Sequence, residues 1–145
     1  MQIILGLGSN LGDREQNLRR AVALVAAGLL DDIIKSGLHK SKPLLPENAP
    51  AEWAGMEFLN MVIAGELKHP EMTPHEFLQE IKDFEVALGR QPAPHWAPRV
   101  IDIDILAWGN ESIDLPGLKI PHPEMFKREF VMQPLREILP GWRQP

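Results

Sequence analysis

Two acidic residues stand two positions apart in an otherwise apolar segment, Val-Ile-Asp-Ile-Asp-Ile-Leu, at 100–106. In a β-strand, alternate side chains point to opposite faces, so Asp102 and Asp104 would share one face and the isoleucines would occupy the other. The Cα atoms of the two aspartates would lie about 6.6 Å apart. At an effective dielectric constant near 20, two charges about 6 Å apart repel each other by about 3 kcal/mol. The pattern predicts either the polar outer face of a half-exposed strand or a site that needs paired carboxylates.

A divalent cation would remove the repulsion between these two aspartates. Two carboxylates completed by water and phosphate oxygens form an oxygen-only site, which suits Mg²⁺ rather than zinc. Two Mg²⁺ ions about 3.5 to 4 Å apart could bridge from the aspartates to phosphate oxygens. We therefore predict Asp102 and Asp104 as metal ligands next to a phosphate-bearing substrate.

Cationic and aromatic residues near this segment suggest what the metal would accompany. Arg90, Arg99 and Arg128 could converge on phosphates, although each alone would be an ordinary solvated surface charge. His122 lies between two prolines, whose stiff backbone suits either a hydrogen bond to phosphate or a structural role. Trp96, in a proline-rich loop, could stack on or close over a flat heterocycle, or anchor the loop to the core.

The glycine-rich segment at 6–12, Gly-Leu-Gly-Ser-Asn-Leu-Gly, is similar to a phosphate-binding loop. It has no Gly-Lys-Ser/Thr ending and lacks the G-x-G-x-x-G spacing. We interpret it as a tight turn between the first strand and the first helix.

The elements that must position these residues alternate between strands and helices. Apolar stripes predict helices over Leu18–Leu29 and Phe77–Leu88, and Thr73 begins the second with a capping box. We expect strands at 2–7, 58–67 and 100–106, proline-rich loops at 41–57 and 89–99, a turn at Pro116-Gly117, a last strand at Phe130–Met132 and a short helical piece at Leu135–Leu139. This order indicates an α+β sandwich with a largely antiparallel sheet and helices on one face of it.

Length and composition exclude several classes of protein. A chain of 145 residues fits one domain spanning 1–145, and 44% hydrophobic with 24% charged residues indicates a folded globular protein. The net charge of −5 argues against a nucleic-acid partner. Without cysteine there are neither disulfides nor thiol nucleophiles. No apolar run is long enough to span a membrane and no signal peptide is recognisable, so we expect a cytoplasmic protein with no membrane partner.

Five segments in chain order carry a resemblance to a known family. They are G-S-N-L-G-D-R at 8–14, F-L-N at 58–60, G-R at 89–90, W-A-P-R-V-I-D-I-D-I-L at 96–106, and I-P-H-P at 120–123 followed by Arg128-x-Phe130. Over nearly the whole chain they resemble the 6-hydroxymethyl-7,8-dihydropterin pyrophosphokinases of folate biosynthesis. The resemblance implies a ferredoxin-like α+β fold with long mobile loops, usually in a monomer. It also implies transfer of pyrophosphate from ATP to the pterin hydroxymethyl group, with two Mg²⁺ ions and release of AMP.

By motif position, the resemblance also implies site residues. Asp102 and Asp104 would bind both magnesium ions and, with Arg90 and Arg99, carry the catalysis. The expected ATP-binding residues are Glu85, Arg90, Arg99, Ile105, Leu118, Lys119, His122 and Arg128. The expected pterin-binding residues are Ser41, Leu44, Phe58, Asn60, Trp96 and Phe130, with the two phenylalanines on the faces of the ring and Asn60 at its polar edge. A role of Asp104 in accepting the proton stays open.

The sequence departs from the family pattern at three places. Pro92 stands where the family commonly has a second arginine, so one cation toward ATP is missing unless Lys40, Lys42 or His95 replaces it. His39-Lys40-Ser41 replaces a usual Tyr-x-Thr, and Ala97 replaces a usual glycine. These departures predict weaker ATP binding or altered loop closure. The alternatives are a different two-metal nucleotide enzyme on the same kind of sheet, an inactive pterin- or nucleotide-binding homologue and, more distantly, an RNA-binding module.

Overall fold

The computed structural model describes all residues from Met1 to Pro145, and its centre is an antiparallel sheet. The strands of this sheet are β1 (Gln2–Ser9), β2 (Leu30–Lys35), β3 (His39–Ser41), β4 (Phe58–Leu67) and β5 (Asp102–Trp108). Their order is β2-β4-β1-β5, with β3 also paired to β4. A separate hairpin consists of β6 (Ile113–Leu115) and β7 (Leu118–Ile120). The expected α+β class with a largely antiparallel sheet is confirmed.

Three α-helices cover the sheet, α1 (Arg14–Gly28), α2 (Pro74–Ala87) and α3 (Glu129–Ile138), and 3₁₀ turns occur at Ala51–Gly55 and Met125–Lys127. The side chain of Thr73 accepts a hydrogen bond from the Glu76 amide, and the Glu76 carboxylate accepts one from the Thr73 amide, which confirms the predicted capping box. Beyond α2, Gly89 has a φ of 107°, the left-handed conformation that glycine adopts at helix ends. None of the helices is both long and apolar enough to cross a membrane.

Apolar side chains pack on both faces of the sheet, which corrects the expectation of helices on one face. The larger cluster joins α1 and α2 to the face that carries the predicted isoleucines Ile101, Ile103 and Ile105. The smaller cluster joins Val131 and Leu135 of α3 to the opposite face. Alternation along β1 makes this possible, because successive residues contribute to opposite clusters.

The last strand predicted at Phe130–Met132 is wrong, because these residues lie in the first turn of α3. The short helical piece predicted at Leu135–Leu139 is helical and forms the end of the same helix. Val131 and Leu135, four residues apart, bury one face of α3, and this packing outweighs the β propensity of the aromatic and branched residues. The glycine-rich segment also starts inside the sheet, since β1 continues to Ser9 and the turn follows it.

Candidate functional site

A cavity of about 770 Å³ lies beside the sheet where β1, β4 and β5 run next to each other. Its lining comes from these strands, from the segments 41–46, 90–99 and 122–128, and from the start of α3. Six lining residues are the expected pterin-binding set, Ser41, Leu44, Phe58, Asn60, Trp96 and Phe130. Six others are expected to bind metal or phosphate, Arg90, Arg99, Asp102, Asp104, His122 and Arg128. The fold therefore brings together twelve residues from distant parts of the chain.

Two glycines of β1, Gly6 and Gly8, line this cavity between Asn60 on one side and Asp102 and Asp104 on the other. Gly8 pairs with Asn60 of β4 on one side and with Asp102 of β5 on the other, and Gly6 pairs with Asp104. A Cβ atom on Gly8 would lie 3.0 Å from the Asn60 Oδ1 atom, closer than real Cβ contacts normally come. Because neither glycine has a side chain, the cavity is open from the Asn60 side-chain amide to the carboxylates of Asp102 and Asp104. Sequence reasoning missed this role because it interpreted the glycine-rich segment at 6–12 as a turn, although Gly6 also lies within the strand expected at 2–7.

The two aspartates have different electrostatic surroundings. The Arg90 Nη1 atom is 3.1 Å from Asp102 Oδ1, and Arg99 Nη1 is 3.7 Å from Asp102 Oδ2. Asp104 has no arginine or lysine nitrogen within 4.0 Å, and the His122 Nε2 atom lies 4.0 Å from its Oδ2 atom. Burial, followed by the negative charge of Asp102, raises the pKa of Asp104 to about 7. The site thus holds one carboxylate paired with arginines and one whose charge is poorly compensated.

Glu85 supports this arrangement from α2. Its buried carboxylate accepts a hydrogen bond of 2.8 Å from the Ile103 amide, between the two aspartates, and lies 2.7 Å from Arg90 Nη1. Burial raises the pKa of Glu85, while the Ile103 hydrogen bond and Arg90 act in the opposite direction. Glu85, which was expected near the nucleotide, lines neither cavity, and its carboxylate holds the Ile103 amide of β5 and the Arg90 guanidinium.

His122 presents a defined edge to the cavity. Its Nδ1 atom accepts a hydrogen bond of 3.2 Å from the Glu124 amide, so the neutral ring carries its proton on Nε2, the atom facing Asp104. Burial and the nearby Arg128 lower the pKa of His122. The ring can therefore donate an Nε2 hydrogen bond into the cavity without being charged.

The side chain of Asn60 is also oriented unambiguously. Its Nδ2 atom donates to the His39 carbonyl at 3.0 Å and to Ser41 Oγ at 2.9 Å. A carbonyl oxygen can only accept, so the amide nitrogen must face β3 and the Oδ1 atom remains for a ligand. At the rim, Trp96 is 43% exposed and Leu44 is 79% exposed, which argues against Trp96 being an anchor buried in the core.

A smaller cavity of about 360 Å³ adjoins the larger one and shares Asp104 and His122 with it. It lies between β5 and the β6–β7 hairpin. Three residues expected near the nucleotide line it, Ile105, Leu118 and Lys119. Of the three cations considered as replacements for an arginine at Pro92, Lys42 and His95 line the larger cavity, whereas Lys40 lines neither.

The donor set fits a hard divalent cation only in part. Asp102 and Asp104 supply oxygen ligands, and the raised pKa of Asp104 shows that an added positive charge would be favourable there. No group of three or more histidine or carboxylate side chains is arranged around a common point as a metal site. A cation held by these two aspartates would need further oxygens from substrate or water.

Comparison with known proteins identifies the family. The family model described as 7,8-dihydro-6-hydroxymethylpterin-pyrophosphokinase (HPPK) matches residues 4–140. The chain belongs to this family. It is 38% identical over 135 residues to the 2-amino-4-hydroxy-6-hydroxymethyldihydropteridine pyrophosphokinase of Bacillus subtilis, a match that covers 92% of this chain and 75% of that protein. With the pyrophosphokinase of the same name from Aquifex aeolicus it shares 38% identity over 143 residues, covering 99% of this chain and 83% of that protein.

Longer relatives of this HPPK-family chain also match. The folate synthesis bifunctional protein of Chlamydia trachomatis is 36% identical over 140 residues, covering 95% of this chain but 30% of that protein. The chain thus spans about 30% of the length of that bifunctional relative. The crystal structure of Plasmodium falciparum HPPK-DHPS with pterin and p-hydroxybenzoate gives a TM-score of 0.70 at 16% identity, covering 99% of this chain and 40% of that one. This likeness supports the fold.

Proposed function

We propose that this protein transfers the terminal pyrophosphate of ATP to the hydroxymethyl oxygen of 6-hydroxymethyl-7,8-dihydropterin, releasing AMP, as a step of folate biosynthesis. The observation that carries the proposal is the side-by-side placement of Asn60, Gly8 and Asp102 on neighbouring strands. Asn60 and Asp102 are two interstrand spacings apart, about 10 Å. A bicyclic ring with a one-carbon arm can contact the amide and still reach the carboxylates.

The pterin half of the site combines aromatic surfaces with one oriented amide. Phe58 and Phe130 would pack against the two faces of the ring, which is favourable for a flat heterocycle. The free Oδ1 atom of Asn60 would accept an N–H group from the polar edge of the ring. Ser41, Leu44 and Trp96 would complete the pocket at its rim.

The nucleotide half would occupy the rest of the larger cavity and the smaller one. Arg90, Arg99 and Arg128 provide guanidinium groups that can bind phosphate oxygens in pairs, and His122 adds its Nε2–H donor. The remaining part of ATP would lie against Ile105, Leu118 and Lys119. Glu85 would act through Arg90, because its carboxylate holds that guanidinium.

Asp102 and Asp104 would hold Mg²⁺, and two ions is the number that we propose. The bound metal would supply positive charge to the phosphate oxygens as negative charge builds up on them. Asp102 must release Arg90 and Arg99, at least in part, before its oxygens become available as ligands. The freed guanidinium groups would then be available to the phosphates.

The chemical step requires alignment more than it requires covalent help from the protein. The hydroxymethyl oxygen would form a bond to the β-phosphorus of ATP. The bond between the β-phosphorus and the α,β-bridging oxygen would break, so AMP leaves with that oxygen, and the hydroxyl hydrogen leaves as a proton. The pterin pocket fixes the attacking oxygen, and the arginines fix the phosphates in line with it.

The proposal includes a monomeric enzyme acting in the cytoplasm. All residues proposed for the site belong to one chain. Sedimentation of the purified protein would test the first statement, since an obligate dimer would contradict it.

The decisive experiment is product analysis after incubation with ATP, Mg²⁺ and 6-hydroxymethyl-7,8-dihydropterin. Chromatography should show AMP and a pyrophosphorylated pterin in equal amounts. ADP or free pyrophosphate as the product would indicate a different nucleotide enzyme, and pterin binding without AMP formation would indicate an inactive homologue. Asp102→Ala and Asp104→Ala should each lower turnover by orders of magnitude in proteins that remain folded.

A further inference from the structure

Glu137, near the end of α3, links this helix to the short strand β3. Its Oε1 atom contacts the His39 Nε2 atom, and its Oε2 atom accepts a hydrogen bond of 3.3 Å from the Gly37 amide. An ionised carboxylate can only accept, so the His39 ring donates from Nε2. The hydrogen bond from His39, followed by that from Gly37, lowers the pKa of Glu137. One carboxylate thus holds the chain at two points where β3 begins.

The residue that Glu137 holds is the one that orients Asn60. His39 and Asn60 are directly paired between β3 and β4, and residues paired in this way carry their side chains on the same face of the sheet. The Asn60 Nδ2 atom donates to the His39 carbonyl at 3.0 Å and to Ser41 Oγ at 2.9 Å, and both acceptors belong to β3. The position of β3 therefore determines where the Asn60 Oδ1 atom points.

β3 is the shortest strand of its sheet, with three residues, and it pairs with β4 alone. Few backbone hydrogen bonds therefore fix its distance from α3. Ser41, at the end of β3, and Phe130, at the start of α3, both line the larger cavity. The link from Glu137 to His39 thus joins two elements that both contribute to the pterin half of the proposed site.

A purely structural role for this link predicts a different behaviour. The side chains of His39 and Glu137 are 21% and 38% exposed, and ion pairs at such positions contribute little to the stability of a protein. Loss of the pair would then lower the melting temperature slightly and would affect both ligands alike. A role in orienting Asn60 would instead affect the ligand that Asn60 contacts.

We propose that Glu137, acting through His39, is a positioning residue for pterin recognition. It holds the His39 carbonyl where this group accepts from Asn60, so that the Asn60 Oδ1 atom faces the N–H groups at the polar edge of the ring. Glu137 and His39 line neither cavity, so they act without touching the pterin. This inference rests on the proposed function, because that function assigns the ring to Asn60.

Binding measurements without turnover test this role. The α,β-methylene analogue of ATP cannot undergo the proposed cleavage, so the protein is saturated with Mg²⁺ and this analogue, and 6-hydroxymethylpterin is then titrated in a calorimeter. Glu137→Gln leaves one acceptor for two donors and should weaken pterin binding by about tenfold. Binding of the analogue itself should change by about twofold or less. Equal losses for both ligands, or no loss for pterin, would refute the proposal.

Two substitutions of His39 test the same link from its other end, and they decide the question if Glu137→Gln does not fold. His39→Gln keeps an N–H donor at a similar distance from the backbone, whereas His39→Leu has none. Pterin should bind to His39→Gln within about threefold of the wild-type affinity and to His39→Leu about tenfold more weakly. Equal losses in the two variants would show that the bond to Glu137 does not matter for pterin.

An Asn60→Ala background distinguishes positioning from a general effect on the fold. If Glu137 acts through Asn60, adding Glu137→Gln should weaken pterin binding by about twofold or less once the amide is absent. An undiminished loss of about tenfold in this background would show that Glu137 acts by another route, and it would contradict the proposal.

Arg136→Gln is the matched control for Glu137→Gln. Arg136 directly precedes Glu137 in α3, and its side chain bonds to Glu129 of the same helix at 3.0 Å and 3.2 Å. This variant also loses one charge from α3 but keeps the link to β3, so its affinity for pterin should equal that of the wild type. A loss as large as that of Glu137→Gln would assign the effect to the charge of the helix and refute the proposal.

The wild-type protein separates this inference from the proposed function. If it forms AMP and pyrophosphorylated pterin while Glu137→Gln binds pterin normally, the positioning role is refuted and the function stands. A wild-type protein that binds no pterin would refute both.

Discussion

Replacing Asp104 by asparagine is expected to stabilise the metal-free protein above pH 7 while removing its activity. The pKa of this carboxyl is raised from 3.8 to about 7, mainly by burial and then by the charge of Asp102. The folded protein therefore keeps a proton that the unfolded chain releases near pH 4, and stability is lost as the pH rises through the folded pKa. The difference between a pKa of 3.8 and one of about 7 corresponds to about 4 kcal/mol. Because the Asp104 side chain is 37% exposed, solvent screening reduces this to about 1–2 kcal/mol.

Urea unfolding in the presence of a chelator at pH 5, 6, 7 and 8 would measure this effect. The free energy of unfolding of Asp104→Asn minus that of the wild type should increase by about 1–2 kcal/mol across this range. The lowered pKa of His122 gives a pH dependence of the opposite sign, and because its Nε2 atom lies 4.0 Å from Asp104, the same comparison is repeated in a His122→Gln background. Asp114→Asn, at an exposed position of β6, is the control and should show no such increase. Parallel curves for Asp104→Asn and the wild type would refute the argument that this charge is poorly compensated.

Three further perturbations address other parts of the site. Gly8→Ala would place a methyl group against Asn60, so the KM for pterin should rise about tenfold in steady-state kinetics, with the KM for ATP little changed. The double change of Arg90 and Arg99 to alanine should weaken calorimetric binding of the α,β-methylene analogue of ATP by at least about 100-fold, and unchanged affinity would contradict the proposed phosphate site. Glu137→Gln should lower the melting temperature at pH 6, because it weakens the contact of Glu137 in α3 with His39 in β3. Below the lowered pKa of Glu137 the carboxyl is neutral, so the variant and the wild type should melt at the same temperature. A difference in melting temperature that persists at that pH would point to another cause.

The parts of the fold that were predictable are those in which one local pattern determines the structure. The alternation at 101–105 placed three isoleucines in the core and both aspartates on the opposite face, as observed. The capping box at Thr73 marked the start of α2 correctly. In these segments, local propensity and tertiary packing favour the same conformation, so the sequence pattern is sufficient.

The parts that were missed depend on contacts with distant residues. β2 contains Asp31, Asp32 and Lys35, and its polar character hides an edge strand that pairs only with β4. β3 has three residues and is held by its pairing with β4 and by the hydrogen bond from the Asn60 side-chain amide to the His39 carbonyl. The turn predicted at Pro116-Gly117 is correct, but the strands on either side are too short to give a periodic signal. Neighbours in space, rather than local sequence, define these elements.

The composition of the site was more predictable than its internal organisation. The family resemblance assigned these residues to one site by motif position, and twelve of them line the larger cavity. Motif positions gave no sign that Glu85 supports β5 through the Ile103 amide rather than lining a cavity. They also could not show that Gly6 and Gly8 keep the larger cavity open between Asn60 and the two aspartates, because a glycine in a strand and a glycine in a turn cannot be told apart in a single sequence. Such roles follow from register, which only the assembled sheet provides.

The charges that line the larger cavity favour one form of the proposed ATP substrate. Four cationic side chains and three carboxylates face it, Lys42, Arg90, Arg99, Arg128, Asp102, Asp104 and Glu124. Free ATP, with several negative charges, would find little net positive charge here, and the chain as a whole carries −5. A triphosphate bound to magnesium is much closer to neutral and fits a cavity that is itself nearly balanced. The metal, more than the protein, would then neutralise the negative charge of the phosphates. Pro92, at a position where the family commonly has an arginine, is compatible with a smaller contribution from protein cations.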